Sequence, residues 1–363
     1  MEKFSDIFVD CTSDGTKIPK DEYLEFGKNI IIDQGNNSIA GYTNNADGLY
    51  TDVPALIFGD HTRIIKYVDR PFFLGADGVK LLKSKKDGAN YKYLYDALKN
   101  AKIPDTGYNR HFKWLKEIQI QYPDITRQKQ IVTILDKLSS SIEKRKKELG
   151  YFDTLIKARF VEMFGDEKNS KKWQLKNIED IADVQVGVVI KPAQYYTDEI
   201  NGIKAFRSLN IAEGYIKDLD WVYFSEEGHK KNSKSILKEN DIRIVRSGTP
   251  GVSCVVPKEY DGCNAIDIII AHPDFSRVNS HYVCAFTNMP HGKNQIKEGT
   301  GGAAQQHFNV GKYNKMKIML PPLELQKDFA DFIVQINKSK VAVQKALDET
   351  QKLFDSLMQE YFG

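Results

Sequence analysis

The C-terminal part of this chain repeats a segment from its middle at a constant offset. A shift of 198 residues places Pro123 on Pro321 and Phe164-Gly165 on Phe362-Gly363. The match continues without a gap over about 43 residues. Since one pattern occupies two places in the same chain, we expect the fold to use one structural part twice.

Each copy of this repeat carries apolar residues in alternating steps of four and three. The spacing predicts a long amphipathic helix with a heptad seam, extending over more than four heptads and roughly 50 Å at 1.5 Å per residue. Polar residues interrupt the first seam at Arg145 and Arg159 and the second at Lys340 and Thr350, and these interruptions do not coincide. The predicted apolar seam residues are Ile131, Leu135, Leu138, Ile142, Leu149, Phe152 and Ile156, and Phe329, Ile333, Ile336, Val343, Leu347, Phe354 and Leu357.

Two arrangements are open for these helices. Each helix could pack only on its own domain, or the two could pack against each other. A seam of 33 residues, from 131 to 163, is too long for one small domain to cover, which favours the second arrangement. Because a globular segment lies between the helices, the chain must turn back, and an antiparallel pair with an approximate two-fold axis is expected.

The segments that precede the two helices form a second, fainter repeat. The matched stretches are NIIIDQGNN (29–37) with IKAFRSLNI (203–211), TKIPK (16–20) with VIKPA (189–193), and 52–82 with 239–270 at an offset near 187. Short β-branched or aromatic runs between Gly, Pro and Asp turns predict strands in both segments. YKYLYDALKN (91–100) predicts a short helix, and insertions at 215–240 and 283–302 enlarge the second segment.

The order of these elements predicts the fold class and the domain bounds. We expect an α+β chain in which two β-rich domains are joined by two long antiparallel coiled-coil helices with pseudo-two-fold symmetry. The predicted bounds are 1–122 for the first domain, 123–165 for the first helix, 166–322 for the second domain and 323–363 for the second helix.

Composition sets broad limits on function. The 363 residues are 41% hydrophobic and 28% charged, and no apolar run reaches the roughly 18 residues of a membrane helix. The chain starts without a secretory signal pattern, so a soluble cytoplasmic protein without membrane association is expected. The net charge of +3 permits a polyanionic partner without requiring one. Four cysteines without CxxC spacing indicate free, buried thiols.

Sequence motifs for catalysis are missing. The chain contains no GxxxxGK[ST] nucleotide loop, no FxGxG with NPPF or DPPY, and no HExxH or Cys/His metal spacing. The glycines of KEGTGGAAQQ (297–306) could suggest an anion cradle, but no Lys-Ser/Thr follows them, so a loop is the better prediction. We therefore expect a chain that is not itself an enzyme.

Several loose motifs recur in the same order in both halves. They are Trp173 to Ile181, Leu320 to Phe332 and their counterparts in the first half, the GDHTR stretch (59–63), and the FG ends of both helices. In this order, and over essentially all 363 residues, they resemble the DNA-specificity subunit of a Type I restriction–modification system. One departure is that the Trp-containing lead at Trp173 has no counterpart before the FSDI element of the first half.

The resemblance implies a non-catalytic subunit that binds double-stranded DNA. Its two target recognition domains would each read one half of an asymmetric bipartite site, and the helices would set the unread gap and dock two modification (methyltransferase) subunits. Those subunits would methylate adenine with S-adenosylmethionine, and restriction subunits would use ATP and Mg²⁺. No cofactor is expected in this chain itself. A spacer of roughly 50 Å would separate the module centres by about one to one and a half turns of DNA.

Loops suited to DNA recur at matched places in both domains. Duplex recognition requires Lys and Arg for phosphates and polar side chains for base edges. The candidates in the first domain are Lys17, Lys20, Gln34, Asn36, Asn37, His61, Thr62, Arg63 and Arg110. Those in the second domain are Lys191, Arg207, Ser208, Asn210, Arg243, Arg246, Ser247, Thr249, Gln305, Gln306 and His307. Any one of them is more often an ordinary polar loop residue, so the prediction depends on the set.

Two other classes of protein stay open at this point. One is a self-sufficient DNA-modifying enzyme, against which the missing nucleotide and metal motifs count. The other is a coiled-coil adaptor that binds protein alone, against which the duplicated β-rich domains with basic loops count.

Overall fold

The structure is a computed structural model that describes residues 1–75, 78–107, 109–300 and 308–363. It divides into two compact units. The first unit comprises Met1–Lys147 and Gln344–Gly363, and the second comprises Glu148–Val343. Each unit therefore contains one β-rich domain together with a part of each long helix.

Two helices of 40 residues correspond to the two copies of the sequence repeat. The central helix covers Ile125–Phe164, and the C-terminal helix covers Leu323–Phe362. Prolines precede both helices. A proline lacks the backbone N–H that a helix interior requires, so it is tolerated before a helix begins but not within it. Gly165 ends the central helix with φ of 93°, a left-handed conformation that glycine adopts readily at helix C-termini. The predicted pair of long helices is confirmed.

In the first unit the two helix segments pack antiparallel. The guanidinium carbon of Arg127 lies 5.6 Å from the ring centroid of Tyr361. Further along, Arg145 Nη1 donates to Thr350 Oγ1 at 2.5 Å. Both of these last residues are polar interruptions of the predicted seams, and they pair with each other, because a polar group inside an apolar seam needs a hydrogen-bond partner.

The second unit contains the same antiparallel arrangement. Lys340 Nζ lies 2.5 Å from Asp153 Oδ1, and the Arg159 guanidinium carbon lies 5.9 Å from the Phe332 ring centroid. The other two polar interruptions of the seams thus also meet partners on the facing helix. Of the seam residues, the structure buries Ile131, Leu135, Ile142, Phe329, Ile333 and Leu347, and it half-buries Leu138, Leu149, Phe152, Ile156, Ile336, Val343, Phe354 and Leu357.

The β-rich domain of the first unit consists mainly of two sheets. The four-stranded sheet has the antiparallel order Phe8–Asp10, Val79–Ser84, Ala55–Gly59, Ile65–Val68. The three-stranded sheet has the order Gly41–Thr43, Asn29–Ile32, Phe72–Leu74, with the last pair parallel. Shorter elements are the paired strands Glu2–Lys3 and Gln119–Ile120 and the helices Phe4–Ile7, Tyr91–Asn100 and Phe112–Leu115.

The β-rich domain of the second unit repeats this topology with one additional edge strand, Tyr196–Thr197. Its first sheet has the order Ala182–Val186, Ile268–Pro273, Ile242–Val245, Ser253–Val255. Its second sheet has the order Tyr196–Thr197, Val222–Phe224, Ile203–Phe206, Asn264–Ala265, again with the last pair parallel. Further elements are the paired strands Ile211–Ala212 with Tyr215–Ile216 and Gln174–Asn177 with Lys317–Leu320, and the helices Glu226–Lys231, Ser280–Asn288, Pro290–Thr300 and Val310–Asn314.

The shared topology confirms the α+β class with two β-rich domains and corrects part of the sequence alignment. Leu56 and Phe58 face the helix-side core of the first unit, as Ile242 and Ile244 do in the second. These pairs are 186 residues apart, one fewer than the sequence offset. Because side chains alternate across a strand, that single residue decides which face Arg243 occupies.

A second correction concerns the TKIPK and VIKPA stretches. The N–H groups of Ile18 and Val188 donate to Leu74 O (2.9 Å) and Ala265 O (2.8 Å), which end the two parallel strands. Ile18 and Val188 are therefore equivalent. Ile18 precedes a proline directly, whereas residues 189–191 separate Val188 from Pro192, so the second domain carries three additional residues here.

The FG end of each helix packs on a tyrosine of a β-rich domain. Phe362 lies 5.1 Å from the Tyr93 ring in the first unit, and Phe164 lies 4.6 Å from the Tyr282 ring in the second. Each tyrosine hydroxyl donates to a backbone carbonyl in the segment before the other long helix, at Gln121 O (2.7 Å) in one unit and at its 198-residue counterpart Met319 O in the other (2.8 Å). The repeated FG motif is thus an anchor between helix and domain.

Within the part of the chain that the structure describes, no helix has the length and apolar character needed to cross a membrane.

Candidate nucleic-acid interface

Loops converge at one edge of each β-rich domain. In the first domain, the strands ending at Ile32 and Gly59 lead into what we call the first loop cluster, residues 33–37, 60–63, 105–107 and 109–110. In the second domain, strands ending at Phe206 and Val245 lead into the second loop cluster, residues 187–191, 207–210, 246–251 and 266–267. Because equivalent strands end at these loops, the two clusters occupy equivalent places in the fold.

The first loop cluster joins several of the predicted residues through hydrogen bonds. The backbone N–H of His61 donates to Gln34 Oε1 at 3.1 Å, and Thr62 Oγ1 donates to Gln34 O at 2.6 Å. Arg63 Nη2 lies 2.7 Å from Asp105 Oδ2, which connects the third loop of the cluster. The structure therefore brings Gln34, His61, Thr62 and Arg63 together beside the segment that carries the exposed Arg110.

Lys66, on the strand Ile65–Val68, holds one loop of this cluster in place. It is not among the residues predicted from the sequence. Its side chain is buried, and Nζ donates to Asn37 O at 2.6 Å and lies 3.5 Å from Asp33 Oδ1. Burial lowers the pKa of the Lys66 ammonium group, and the Asp33 carboxylate opposes that shift. Asn36 and Asn37 are exposed on the loop that Lys66 holds. A lysine inside a strand pattern gave no signal of this role.

The predicted lysines of the first domain lie on the neighbouring loop. Lys17 and Lys20 are exposed on either side of the buried Ile18. Since Ile18 is bonded to the end of the strand Phe72–Leu74, both lysines lie near the edge at which the first loop cluster forms.

The second loop cluster is held by backbone bonds and one ion pair. Arg246 Nη1 lies 2.5 Å from Asp267 Oδ1, and the N–H of Asp267 donates to Val188 O at 3.1 Å. Arg207 donates through its guanidinium group to Asp220 O. These contacts place Arg246 and the loop at Val188 side by side at the ends of the two sheets.

The remaining predicted residues of the second cluster differ in exposure. Lys191 and Thr249 are exposed, and Ser208 and Ser247 are half-buried. Gln305, Gln306 and His307 lie outside the described residues. The backbone N–H of Phe308, the next residue, donates to Arg246 O at 2.9 Å, so the described chain resumes directly beside the cluster.

Two predicted DNA contacts are wrong because their side chains are buried. Asn210 is fully buried: its Oδ1 accepts from the Arg207 N–H at 2.9 Å, and its Nδ2 donates to Leu219 O at 2.7 Å. Arg243 is also fully buried, with its guanidinium carbon 4.0 Å from the Phe206 ring centroid and Nη2 donating to Val255 O at 2.8 Å. Asn210 therefore shapes the loop, and Arg243 belongs to the core between the two sheets.

Replacing Arg243 by methionine tests this reassignment. Arg243 Nε and Nη1 have no hydrogen-bond partner among the described residues, and burial lowers the pKa of the guanidinium group. An incompletely paired buried cation costs free energy, so we expect Arg243→Met to raise the free energy of unfolding by about 1–3 kcal/mol in urea titrations. DNA affinity should be unchanged, whereas the matched Arg246→Ala variant should weaken it. An Arg243→Met variant that folds as stably as the wild type but binds DNA more weakly would restore Arg243 as a contact residue.

Histidine and carboxylate groups in the second domain form a structural contact. His272 Nδ1 lies 2.6 Å from the buried Asp241 Oδ1, and its Nε2 lies 2.7 Å from Gln185 Nε2. Both ring nitrogens are thus engaged, at the opposite ends of the strands from the second loop cluster. Across the described ranges, no three His, Cys, Asp or Glu side chains form a group that could hold a metal ion.

A protein family unites both halves of the chain. The family described as the Type I restriction modification DNA specificity domain matches residues 3–149 and 170–350. These segments contain both β-rich domains, both loop clusters and most of both long helices. The chain belongs to this family of Type I restriction–modification specificity subunits.

Two relatives are named as specificity subunits of Type I restriction enzymes. The Type I restriction enzyme MjaIX specificity subunit of Methanocaldococcus jannaschii is 22% identical over 302 residues, covering 75% of this chain and 68% of that protein. The Type I restriction enzyme EcoR124I/EcoR124II specificity subunit of Escherichia coli is 30% identical over 142 residues, covering 34% of this chain and 35% of that protein.

Solved structures share the fold. The crystal structure of the Type I restriction–modification S subunit from M. genitalium matches 100% of this chain and 95% of its own with a TM-score of 0.64 at 15% identity. A chain from a structure concerning complex assembly and conformational transition of the type I system matches 99% of this chain and 95% of its own, with a TM-score of 0.55 at 13% identity.

Proposed function

We propose that this chain selects the DNA sequence for a Type I restriction–modification complex, with each domain reading one half of an asymmetric bipartite site. The observation that carries the proposal is the pair of loop clusters at equivalent edges of two equivalent domains. Each cluster combines cations with amide or hydroxyl side chains, which suit phosphate contact and base readout respectively.

The two half-sites should differ because equivalent loop positions carry different chemistry. The strands ending at Ile32 and Phe206 are followed by Asp-Gln and by Arg-Ser, respectively. The strands ending at Gly59 and Val245 are followed by Asp-His and by Arg-Ser. Base edges in the major groove are distinguished by their pattern of donors and acceptors, so different side chains select different bases.

The other components of the proposal concern partners. Two modification subunits would dock on the long helices and methylate adenine with S-adenosylmethionine, and restriction subunits would supply ATP- and Mg²⁺-dependent cleavage. This chain would be non-catalytic, would act in the cytoplasm, and would set the unread gap through its helices. Linking two weak half-site contacts in one chain raises the affinity for the whole site through effective concentration.

Co-expression with a cognate modification subunit tests the proposal. The purified pair, and the chain alone, would be incubated with S-adenosylmethionine and random-sequence DNA, and methylated positions would be sequenced. We expect adenine methylation at one bipartite, asymmetric sequence by the pair and none by the chain alone. Methylation by the chain alone would favour a self-sufficient enzyme, and its absence in both samples would favour an adaptor.

Exchange of residues 166–322 tests the modular part of the proposal. Replacing them with the corresponding domain of a relative should change one half-site and leave the other half-site and the gap intact. A hybrid that alters both half-sites would contradict independent reading by the two domains.

A further inference from the structure

The loop at residues 187–191 exposes apolar side chains in the second loop cluster. Val189 and Ile190 are 49% and 78% exposed, although β-branched aliphatic residues are normally buried. Both belong to the three residues that the second domain carries in addition to the first. The equivalent loop of the first domain passes from the buried Ile18 directly into Pro19.

The backbone of this loop is fixed where it leaves the sheet. The N–H groups of Gly187 and Val188 donate to Ile268 O (2.9 Å) and Ala265 O (2.8 Å). A side chain at Gly187 would collide with the Ala265 carbonyl, so the close approach requires glycine. The base of the loop is therefore held against the strand ends.

The surroundings of the loop match a nucleic acid. Lys191 adjoins the apolar pair, is exposed and has φ of 44°. Val188 accepts from the N–H of Asp267, whose carboxylate holds Arg246. The cations of this loop edge suit the phosphates of DNA, and the exposed apolar side chains suit the few apolar groups that DNA displays.

We propose that Val189 and Ile190 form an apolar contact with the C5-methyl group of a thymine in the half-site read by the second domain. The methyl group of thymine is the one apolar feature that base pairs display in the major groove. The same loop cluster supplies Ser208 and Thr249 for polar base edges, so the apolar pair adds a chemistry that its neighbours lack. This inference rests on the proposed function and assigns a specificity role to residues that are absent from the first domain.

The test compares a Val189→Ser/Ile190→Ser variant with wild-type protein, each in complex with the modification subunit. Sequencing of methylated sites should show that the variant loses discrimination at one A·T position of the second half-site and keeps the first half-site. Ile200→Ser is the matched control, because Ile200 is 92% exposed in the same domain and lies before the start of the strand Ile203–Phe206, away from the loop cluster. The control should retain the wild-type site.

A second measurement isolates the methyl group. Replacing the relevant thymine by deoxyuridine in an oligonucleotide removes that methyl alone, and the affinity of the wild-type complex should fall about fourfold, the equivalent of about 0.8 kcal/mol for one buried carbon. The variant should bind both oligonucleotides equally. Equal binding of both by the wild type, or an unchanged site for the variant, overturns the inference while site-specific methylation by the wild type still stands. If the wild type itself shows no specific site, the proposed function fails instead.

Discussion

Truncation of Phe329 to alanine is expected to lower the free energy of unfolding by about 3–5 kcal/mol, the range for deleting a fully buried phenylalanine. Phe329 has no exposed surface, and its ring lies 5.4 Å from that of Phe160 and 5.3 Å from that of Phe164. These three rings join the two long helices to the core of the second unit. The substitution therefore removes contacts from both helices at once.

Urea titration followed by tryptophan fluorescence measures the effect. Trp173 reports on this region because its Nε1 donates to Phe164 O at 2.9 Å. Leu353→Ala on the same helix is the control, since Leu353 is 50% exposed, and it should change the free energy of unfolding by less than about 0.5 kcal/mol. Similar losses for Phe329→Ala and Leu353→Ala would show that the ring cluster does not stabilise the unit.

Replacement of Gln326 by leucine should lower the free energy of unfolding by about 2–4 kcal/mol. The same change at its repeat partner Gln128 should lower it by about 1 kcal/mol. Both glutamines are buried. Gln326 Nε2 donates to Pro321 O (2.9 Å) and Arg277 O (3.3 Å), and its Oε1 accepts from the Asn279 N–H at 2.9 Å. Leucine would leave the half-buried Asn279 N–H and two carbonyl groups without these partners.

Gln128 makes fewer contacts, which explains the expected difference. Its Nε2 donates to Pro123 O at 2.8 Å, and its Oε1 has no hydrogen-bond partner among the described residues. The two variants share one substitution and one position in the repeat, so each is the control for the other in parallel urea titrations. Equal losses would mean that the two additional bonds of Gln326, to Arg277 O and from the Asn279 N–H, contribute nothing.

The repeat made most of the fold predictable. An ungapped offset predicted two equivalent helices, the length of the seams predicted that they pack against each other, and the globular segment between them predicted the antiparallel direction. The partners that Arg145 and Lys340 find on the facing helix were not predicted. The strands were predictable from β-branched runs between turn residues. YKYLYDALKN was predicted and is confirmed as the helix Tyr91–Asn100.

Burial on all sides concealed one helix and hid the correct place of one strand residue. The helix Ser280–Asn288 is buried at eight of its nine residues, so it carries no amphipathic period that a sequence could reveal. Arg243 was misplaced for the same reason, since the strand Ile242–Val245 is buried on both faces and shows no alternation. In the loops, composition indicated the correct regions, but burial decides which side chains are accessible, and it depends on contacts distant in sequence, as for Asn210.

The anchors between helix ends and tyrosines affect the order in which the protein can fold. Phe164, Tyr282 and Phe329 belong to the core of the second unit, and all three have been synthesised once the ribosome has passed residue 329. In the first unit, the contact between Tyr93 and Phe362 can form only after Phe362 has been made, about 270 residues later in the chain. Contacts of such long sequence separation form slowly, because the intervening chain must first be brought together. The domain that is made first is therefore completed last, and during translation the surface around Tyr93 stays uncovered until Phe362 has been made, which exposes it to aggregation.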